Sequence, residues 1–256
     1  MDQILGSEIP PLAAGVSMNV DEIRNRLKIN HIPFSEELPE KLLRYFTLLK
    51  DWNQRMDLTA VTDDDEMLDK HFIDSLTVLR TSCIPDNAAL IDVGTGAGFP
   101  GMVLAIARDD LSVTLLDAQQ KRLSFLNAVA EATDTHNITL IHDRAETGAR
   151  RPELREKFEV ATARALAPLN VLCEYLLPYV RTGGCALCWK GPAVQDEMEA
   201  GRKAASLLGG QTESPFPCSI AGRNWDHQIL QIIKTRQTSS AYPRKAGIPK
   251  QKPLGI

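Results

Sequence analysis

The sequence predicts a doubly wound α/β fold, a mostly parallel sheet with helices on both faces, preceded by an α-helical N-terminal extension. Three observations carry this. From Ala88 onward short β-rich runs alternate with helical stretches, the order of a parallel sheet and its crossover helices. Before Ala88 the apolar residues recur only at helical spacing. Of the 256 residues 43% are hydrophobic and 24% charged, which supports a real core and excludes disordered, collagen-like and coiled-coil chains.

Residues 1–19 show no periodicity and contain Pro10-Pro11, which reads as a loose lead-in. Residues 20–86 read as a helical region. Its first helix spans Val20 to Leu27; its second spans Ser35 to Arg55, with Leu42, Leu43, Phe46, Leu49 and Trp52 as the expected buried stripe. Thr62 followed by Asp63, Asp64, Asp65 and Glu66 gives a cap and then acids where the helix dipole favours them. A third helix is therefore expected from Met67 to Leu79, closed by the turn Ile84-Pro85-Asp86-Asn87. Residues 87–235 read as the sheet domain, with strands at Ala88 to Val93, Val113 to Leu116, Ile138 to Ile141, Phe158 to Thr162, Cys185 to Trp189 and Ile229 to Ile233. Helices are expected at Gly101 to Arg108, Gln120 to Ala132, Leu169 to Val180 and Gln195 to Leu208, and residues 236–256 form a basic tail. Ligands of such sheets bind beyond the carboxyl ends of the strands, so the residues just after each strand matter most.

No apolar run approaches the roughly 20 residues of a membrane span, and residues 1–19 lack the basic start and apolar centre of a signal peptide; a cytoplasmic protein is expected. Cys83, Cys173, Cys185, Cys188 and Cys218 are odd in number and scattered, as expected of reduced thiols. Net charge is −4, yet from Lys234 onward the chain carries Lys234, Arg236, Arg244, Lys245, Lys250 and Lys252 and no acid. The preceding residues therefore hold −10, which is −4 less those six charges. A cationic tail on an acidic body admits a nucleic-acid partner along one side; a solvated tail explains it equally.

The most informative segment follows the first strand: Ile91-Asp92-Val93-Gly94-Thr95-Gly96-Ala97-Gly98-Phe99-Pro100-Gly101. Glycines at alternate positions let the backbone turn sharply and approach a ligand, and Pro100 suits the first turn of a helix. Gly96 to Gly101 fits G-x-G-x-x-G, so an NAD-linked oxidoreductase has to be weighed. That match lies two residues too far along for the usual strand-to-glycine register. Asp92, two residues before the first glycine, can organise the loop and help solvate a cationic amino acid moiety, which favours S-adenosylmethionine. Asp117 closes the second strand, where an acid can accept hydrogen bonds from both ribose hydroxyls of either cofactor. An ordinary surface aspartate at a strand end is the alternative.

These residues resemble one family, the bacterial small-subunit ribosomal RNA guanine-N7 methyltransferases, also known as glucose-inhibited division protein B. The resemblance runs from about Asp51 onward. Its helical part has Trp52-Asn53, Leu58-Thr59-Ala60, His71 and Asp74-Ser75-Leu76. The loop Asp92 to Gly101, with its Phe-Pro-Gly ending, is the most specific motif. Downstream come Asp117 with Lys121-Arg122, Arg144-Ala145-Glu146, Arg164-Ala165, Lys190-Gly191, and Tyr242-Pro243-Arg244 with Gly247, Pro249 and Lys252-Pro253-Leu254. The resemblance implies a class I S-adenosylmethionine-dependent methyltransferase fold and methyl transfer to N7 of a guanine in 16S ribosomal RNA, the RNA or the small-subunit particle being the partner. It implies cofactor contacts at Gly94 and Phe99, at Ala145 and Glu146 and at Arg164, to which the spacing above adds Asp117. In this picture Phe99 covers part of the cofactor, Ala145 and Glu146 lie near the adenine, and Arg164 stands between cofactor and target. Arg144, Lys190 and Arg244 are the candidates for contact with RNA. Arg144 and Glu146 could instead form a surface ion pair, and Lys190 could be a solvated lysine. A non-catalytic RNA-binding or assembly factor with this fold is the remaining alternative, and a monomer is favoured.

Methyl transfer from a sulfonium is an in-line displacement that positioning serves well. Guanine N7 offers a free lone pair and no proton to remove, so no general base is required. The Asn-Pro-Pro-aromatic run common in amine methylation is missing; Ala163-Arg164-Ala165-Leu166-Ala167-Pro168 stands there instead. No cysteine closely follows the fourth strand to activate a cytosine ring, and Cys218 reads as a core or edge thiol. His31, His71, His136, His142 and His227 show no metal spacing, and Cys185 and Cys188 would face opposite sides of a strand; no metal is expected. His71 either closes over the cleft or bonds a backbone carbonyl. Trp189 reads as core, and the tail either packs back across the cleft or reaches for phosphates.

Overall fold

The computed structural model describes residues 18–256, so the expected lead-in lies outside the described residues up to position 17. Its last two residues are built into the fold. Met18 is buried, and the Asn19 side chain accepts from the Glu22 N–H at 3.0 Å while Glu22 accepts from the Asn19 N–H at 2.8 Å. This reciprocal cap starts α1 (Val20–Ile29). Helix α2 (Leu38–Asn53) buries Leu42, Tyr45, Phe46 and Leu49, an i, i+3, i+4, i+7 face. The expected stripe is thereby corrected: Tyr45 belongs to it, while Leu43 and Trp52 flank it half-buried. The third cap is corrected too. Asp63, not Thr62, accepts the Glu66 N–H at 2.8 Å and starts α3 (Asp64–Met67). The chain continues through a π-helical turn (Leu68–Ile73), α4 (Asp74–Leu76) and a 3-10 turn (Thr77–Arg80).

The sheet contains β1 (Ala89–Val93), β2 (Ser112–Asp117), β3 (Ile138–His142), β4 (Phe158–Arg164), β5 (Val180–Lys190), β6 (Gly210–Thr212), β7 (Phe216–Pro217) and β8 (Gln228–Lys234). Its order is β3-β2-β1-β4-β5-β8-β6, with β7 also on β8. The first five strands are mutually parallel, joined by α5 (Gly101–Ala107), α6 (Gln120–Thr133), α7 (Ala145–Gly148) and α8 (Leu169–Leu176). Helix α8 stops four residues short of its expected end because Val180 already opens β5. Helix α9 (Val194–Leu208) then crosses to β6, and β8 returns between β5 and β6 antiparallel to both. The crossover is spent on reaching β6, so the returning strand has the opposite direction.

Side chains alternate between two apolar clusters, one on each face of the sheet. Leu90, Leu115, Val160 and Cys185 join the cluster that contains the apolar faces of α1 and α2; Ile91, Leu116, Ala161 and Cys188 join the one under α8 and α9. Among the described residues no helix is long and apolar enough to cross a membrane.

The charged tail departs most from expectation. Lys234 is fully buried, its ammonium donating to the carbonyls of Leu177 and Val180 and to Thr238 Oγ1, with Glu156 2.9 Å away. It is a core residue, so the free tail charge is smaller than the sequence suggests. Farther on, Arg155 donates to the carbonyls of Thr238 and Tyr242, Asn170 donates to the Leu254 carbonyl, and α10 (Ile248–Gln251) packs against α8. The tail packs back along α8 and reaches the carboxyl ends of the strands at Gly247 and Lys250.

Candidate active site

After β1 the chain curls over the end of β2, with the N–H groups of Gly94 and Thr95 both donating to the Leu116 carbonyl at 2.8 and 3.1 Å. Gly94 takes φ +70°, and a Cβ there would lie 2.8 Å from Leu166 Cδ1. Both backbone and space therefore demand glycine. Gly94→Ala is expected to weaken S-adenosylhomocysteine binding and Gly94→Val to weaken it further, read by calorimetry; normal binding by the valine variant would make the loop purely structural. At the other end of the loop Tyr45 donates from its hydroxyl to the Ala97 carbonyl, and Gly98 (φ +96°) lies against that hydroxyl oxygen, Leu126 and Met102 with no room for a Cβ.

Three acids order this region. Asp92, buried, accepts the Gly101 N–H at 3.0 Å and the Thr162 hydroxyl at 2.8 Å. Its carboxylate organises the loop, the first of its two expected roles; burial raises its pKa, opposed by those hydrogen bonds. Asp117 is 2% exposed and accepts the N–H groups of Gly96 and Gln119 at 2.9 and 2.8 Å, which overturns the surface-aspartate alternative. Glu146, also buried, accepts the Gly247 N–H of the tail at 2.8 Å. A buried Glu146 bonded to the tail, beside an exposed Arg144, does not make the surface ion pair that was the alternative. Gly94, Asp117, Arg144, Ala145, Glu146 and the tail's Lys250 line a cavity of about 290 Å³.

Phe99 and Arg164 stand elsewhere. Phe99 is buried in an aromatic group, stacked on Tyr45 (5.5 Å between centroids, planes 2° apart) and on His71 (4.8 Å). The Arg164 guanidinium lies 5.1 Å above its centroid. Arg164 donates to the Lys70 carbonyl at 2.6 Å and to Asp74 Oδ2 at 3.2 Å, with His71 Nδ1 at 3.3 Å. Its side chain is 15% exposed. Lys70, His71, Asp74 and Arg164 line a second cavity of about 280 Å³ with Lys190 and His227, and Phe99 lies behind them in the core.

His71 thus belongs to the cleft, and its side-chain partners are Arg164 and Thr59 Oγ1, the latter 2.7 Å from Nε2. Burial, then the charges of Arg164 and Lys70, push its pKa down to about 3. An unfolded histidine takes up its proton near pH 6.5 while the folded one resists, so stability is full above that pH and falls as pH drops toward 3. The slope should approach about 1.4 kcal/mol per pH unit, and urea unfolding of His71→Gln between pH 6.5 and 5 should show a flatter profile.

Two of the three candidates for RNA contact are engaged within the fold. Lys190 pairs with Glu197 at 2.6 Å and reaches the Ala167 carbonyl at 3.4 Å, which leaves it 11% exposed. Arg244 forks onto the buried carboxylate of Glu174 at 2.6 to 3.1 Å. Trp189 is core as expected, donating to the Asp74 carbonyl at 3.1 Å. Cys218 is a buried thiol, its pKa raised to about 12 by burial. Sequence reasoning missed the roles of Tyr45, Asp74 and His227. A carboxylate inside the apolar run Phe72-Ile73-Asp74-Ser75-Leu76 was the available signal, because a buried charge needs partners.

Residues 38–225, from α2 through β7, match the family model described as rRNA small subunit methyltransferase G. The chain belongs to this family. It is 44% identical over 223 residues to the ribosomal RNA small subunit methyltransferase G of Clostridium botulinum (strain Eklund 17B / Type B), covering 87% of this chain and 93% of that protein. With the protein of the same name from Clostridium perfringens (strain 13 / Type A) identity is 42% over 221 residues, 86% and 92% of the two chains. A chain from the complex of the Haloferax volcanii Trm112 methyltransferase activator with a methyltransferase matches in fold, with TM-score 0.52 and 13% identity over 67% of this chain and 93% of that one. Membership in the methyltransferase G family brings no support to the NAD-linked or the non-catalytic reading.

Proposed function

We propose that the chain transfers a methyl group from S-adenosylmethionine to N7 of a guanine in 16S ribosomal RNA, in the cytoplasm. The observation that supports this most is the pairing of two cavities across the switch point between β1 and β4. Arg164 and Ala165 line one, and Leu166 lines the other. A cofactor and a base held on the two sides would meet at this segment.

The residues present fit the cofactor. Gly94 offers bare backbone, Asp117 a carboxylate at the end of β2, and Ala145 with Glu146 a wall at the start of α7. When bound, S-adenosylmethionine supplies an electrophilic methyl carbon on a sulfonium. Asp117 accepts from the ribose hydroxyls, Ala145 and Glu146 flank the adenine, and Gly94 leaves the approach open. Phe99 serves from below, its ring fixing the plane of Arg164. Arg164 faces the target and leaves N7 free. His71, held neutral, carries no imidazolium proton to give at pH 7, which suits a reaction that moves none. In this reading residues 20–86 are the helical region, 87–235 the methyltransferase domain and 236–256 a strap over the cofactor side, while exposed Arg144 remains available to RNA.

Labelled methyl transfer to naked 16S RNA, an assembly intermediate and the assembled small subunit, followed by mapping, tests the reading. A product other than N7-methylguanosine, or binding of NADH in place of S-adenosylhomocysteine, would sink it. Asp117→Ala is expected to weaken S-adenosylmethionine by about tenfold or more, since it removes charge-assisted bonds to the ribose and to the loop; an unchanged dissociation constant in a folded variant removes Asp117 from the site.

A further inference from the structure

The cavity around Arg164 holds one imidazole that the reaction as described does not use. His227 directly precedes β8, and its Nδ1 lies 2.9 Å from Asp74 Oδ1. The other oxygen of Asp74 is paired with Arg164. A carboxylate only accepts, so the hydrogen between the two residues sits on Nδ1. In the neutral ring Nε2 is then an acceptor, and among the described residues no group hydrogen-bonds it. Trp225 stacks on the ring at 5.6 Å with planes 27° apart, and Trp225 carries the Arg223 guanidinium 5.2 Å from its centroid. Arg223 is in turn anchored on buried Asp69 at 2.6 Å. The imidazole is fixed at its edge by a carboxylate and against its face by a stack.

We infer that His227 reads the target base, its Nε2 accepting a hydrogen bond from the N1–H or the 2-amino group of guanine, with Asp74 as the positioning residue that sets the tautomer. This rests on the methyl-transfer reading above. Guanine presents two adjacent donors on the edge of its six-membered ring, while N7, on the five-membered ring, stays free to react. Adenine would turn the lone pair of its N1 toward the lone pair of Nε2. A site built to bond a substrate N–H rejects analogues lacking it far more strongly than an apolar pocket rejects a missing methylene.

The test uses small-subunit substrate carrying guanine, inosine (no 2-amino group) or 2-aminopurine (no N1–H) at the mapped position. His227→Asn keeps a donor near Nδ1 for Asp74 and loses the Nε2 acceptor; His227→Gln places an amide oxygen near Nε2. Wild type should show kcat/KM at least about tenfold lower for one analogue or both, the effect of one hydrogen bond. His227→Asn should bring guanine down to that analogue's level with no further loss on the analogue, while S-adenosylhomocysteine affinity holds. His227→Gln should recover part of the preference. If His227→Asn keeps the wild-type preference for guanine over both analogues, or wild type shows none, the inference is overturned. Should His227→Asn fail to bind S-adenosylhomocysteine, a His227→Gln enzyme whose guanine rate and analogue ratios are those of His227→Leu overturns it equally. A wild type that never forms N7-methylguanosine overturns the methyl-transfer reading instead.

Discussion

Arg164→Met should lower stability by about 3 to 5 kcal/mol, because it leaves the buried carboxylate of Asp74 without its cationic partner and strands the Lys70 carbonyl. Thermal unfolding of the variant against wild type reads the loss directly. Arg164→Lys separates folding from chemistry. It keeps the charge, yet a single ammonium cannot reproduce a planar fork that lies over Phe99 and reaches Lys70, Asp74 and His71 together. We expect a variant that folds and binds S-adenosylhomocysteine within a factor of about two, with methyl transfer down by roughly tenfold or more. Wild-type turnover in Arg164→Lys would show that any cation suffices there.

Arg244→Ala carries the second large effect. Glu174 is fully buried, and Arg244 supplies it with three side-chain contacts and a backbone N–H at 2.7 Å. Truncating the arginine leaves a buried charge with only that backbone bond, again about 3 to 5 kcal/mol, or roughly 2 to 4 °C in Tm per kcal/mol for a chain of this size. Cofactor affinity should fall with it, since Gly247, three residues on, holds Glu146 in the cavity wall. Of the two courses expected for the tail, these contacts serve the one that packs it back across the cleft. The salt dependence of RNA binding should not change in Arg244→Ala, because an arginine committed to Glu174 displaces no counterions from phosphate. A stable variant with a shallower salt slope would return Arg244 to the RNA.

The parallel core was legible because its signals are local. Each of the first five strands is a β-rich run bounded by turn residues, and the glycine loop stands directly after the first of them. Strands β6 and β7, with three and two residues, are too short to show alternation, so they could not be seen. Gly94, Asp117 and Glu146 were legible because each stands at or just after the end of a strand, and they do line one cavity. The site was illegible where partners come from afar. Asp74 and His227 are 153 residues apart, Arg244 and Glu174 are 70 apart, and a count of lysines and arginines cannot tell Lys234 in the core from exposed Lys245.

The contact between Tyr45 and the loop at Ala97 and Gly98 binds two segments that lie 52 residues apart in the chain. Neither position is free to drift alone. A side chain at 98 would collide with the Tyr45 hydroxyl as well as with Leu126 and Met102, and losing the tyrosine hydroxyl leaves the Ala97 carbonyl buried without its donor. Among descendants of this sequence the two should change together or not at all. A chimera that takes its helical region from one relative and its glycine loop from another should work only when both come as a matched set.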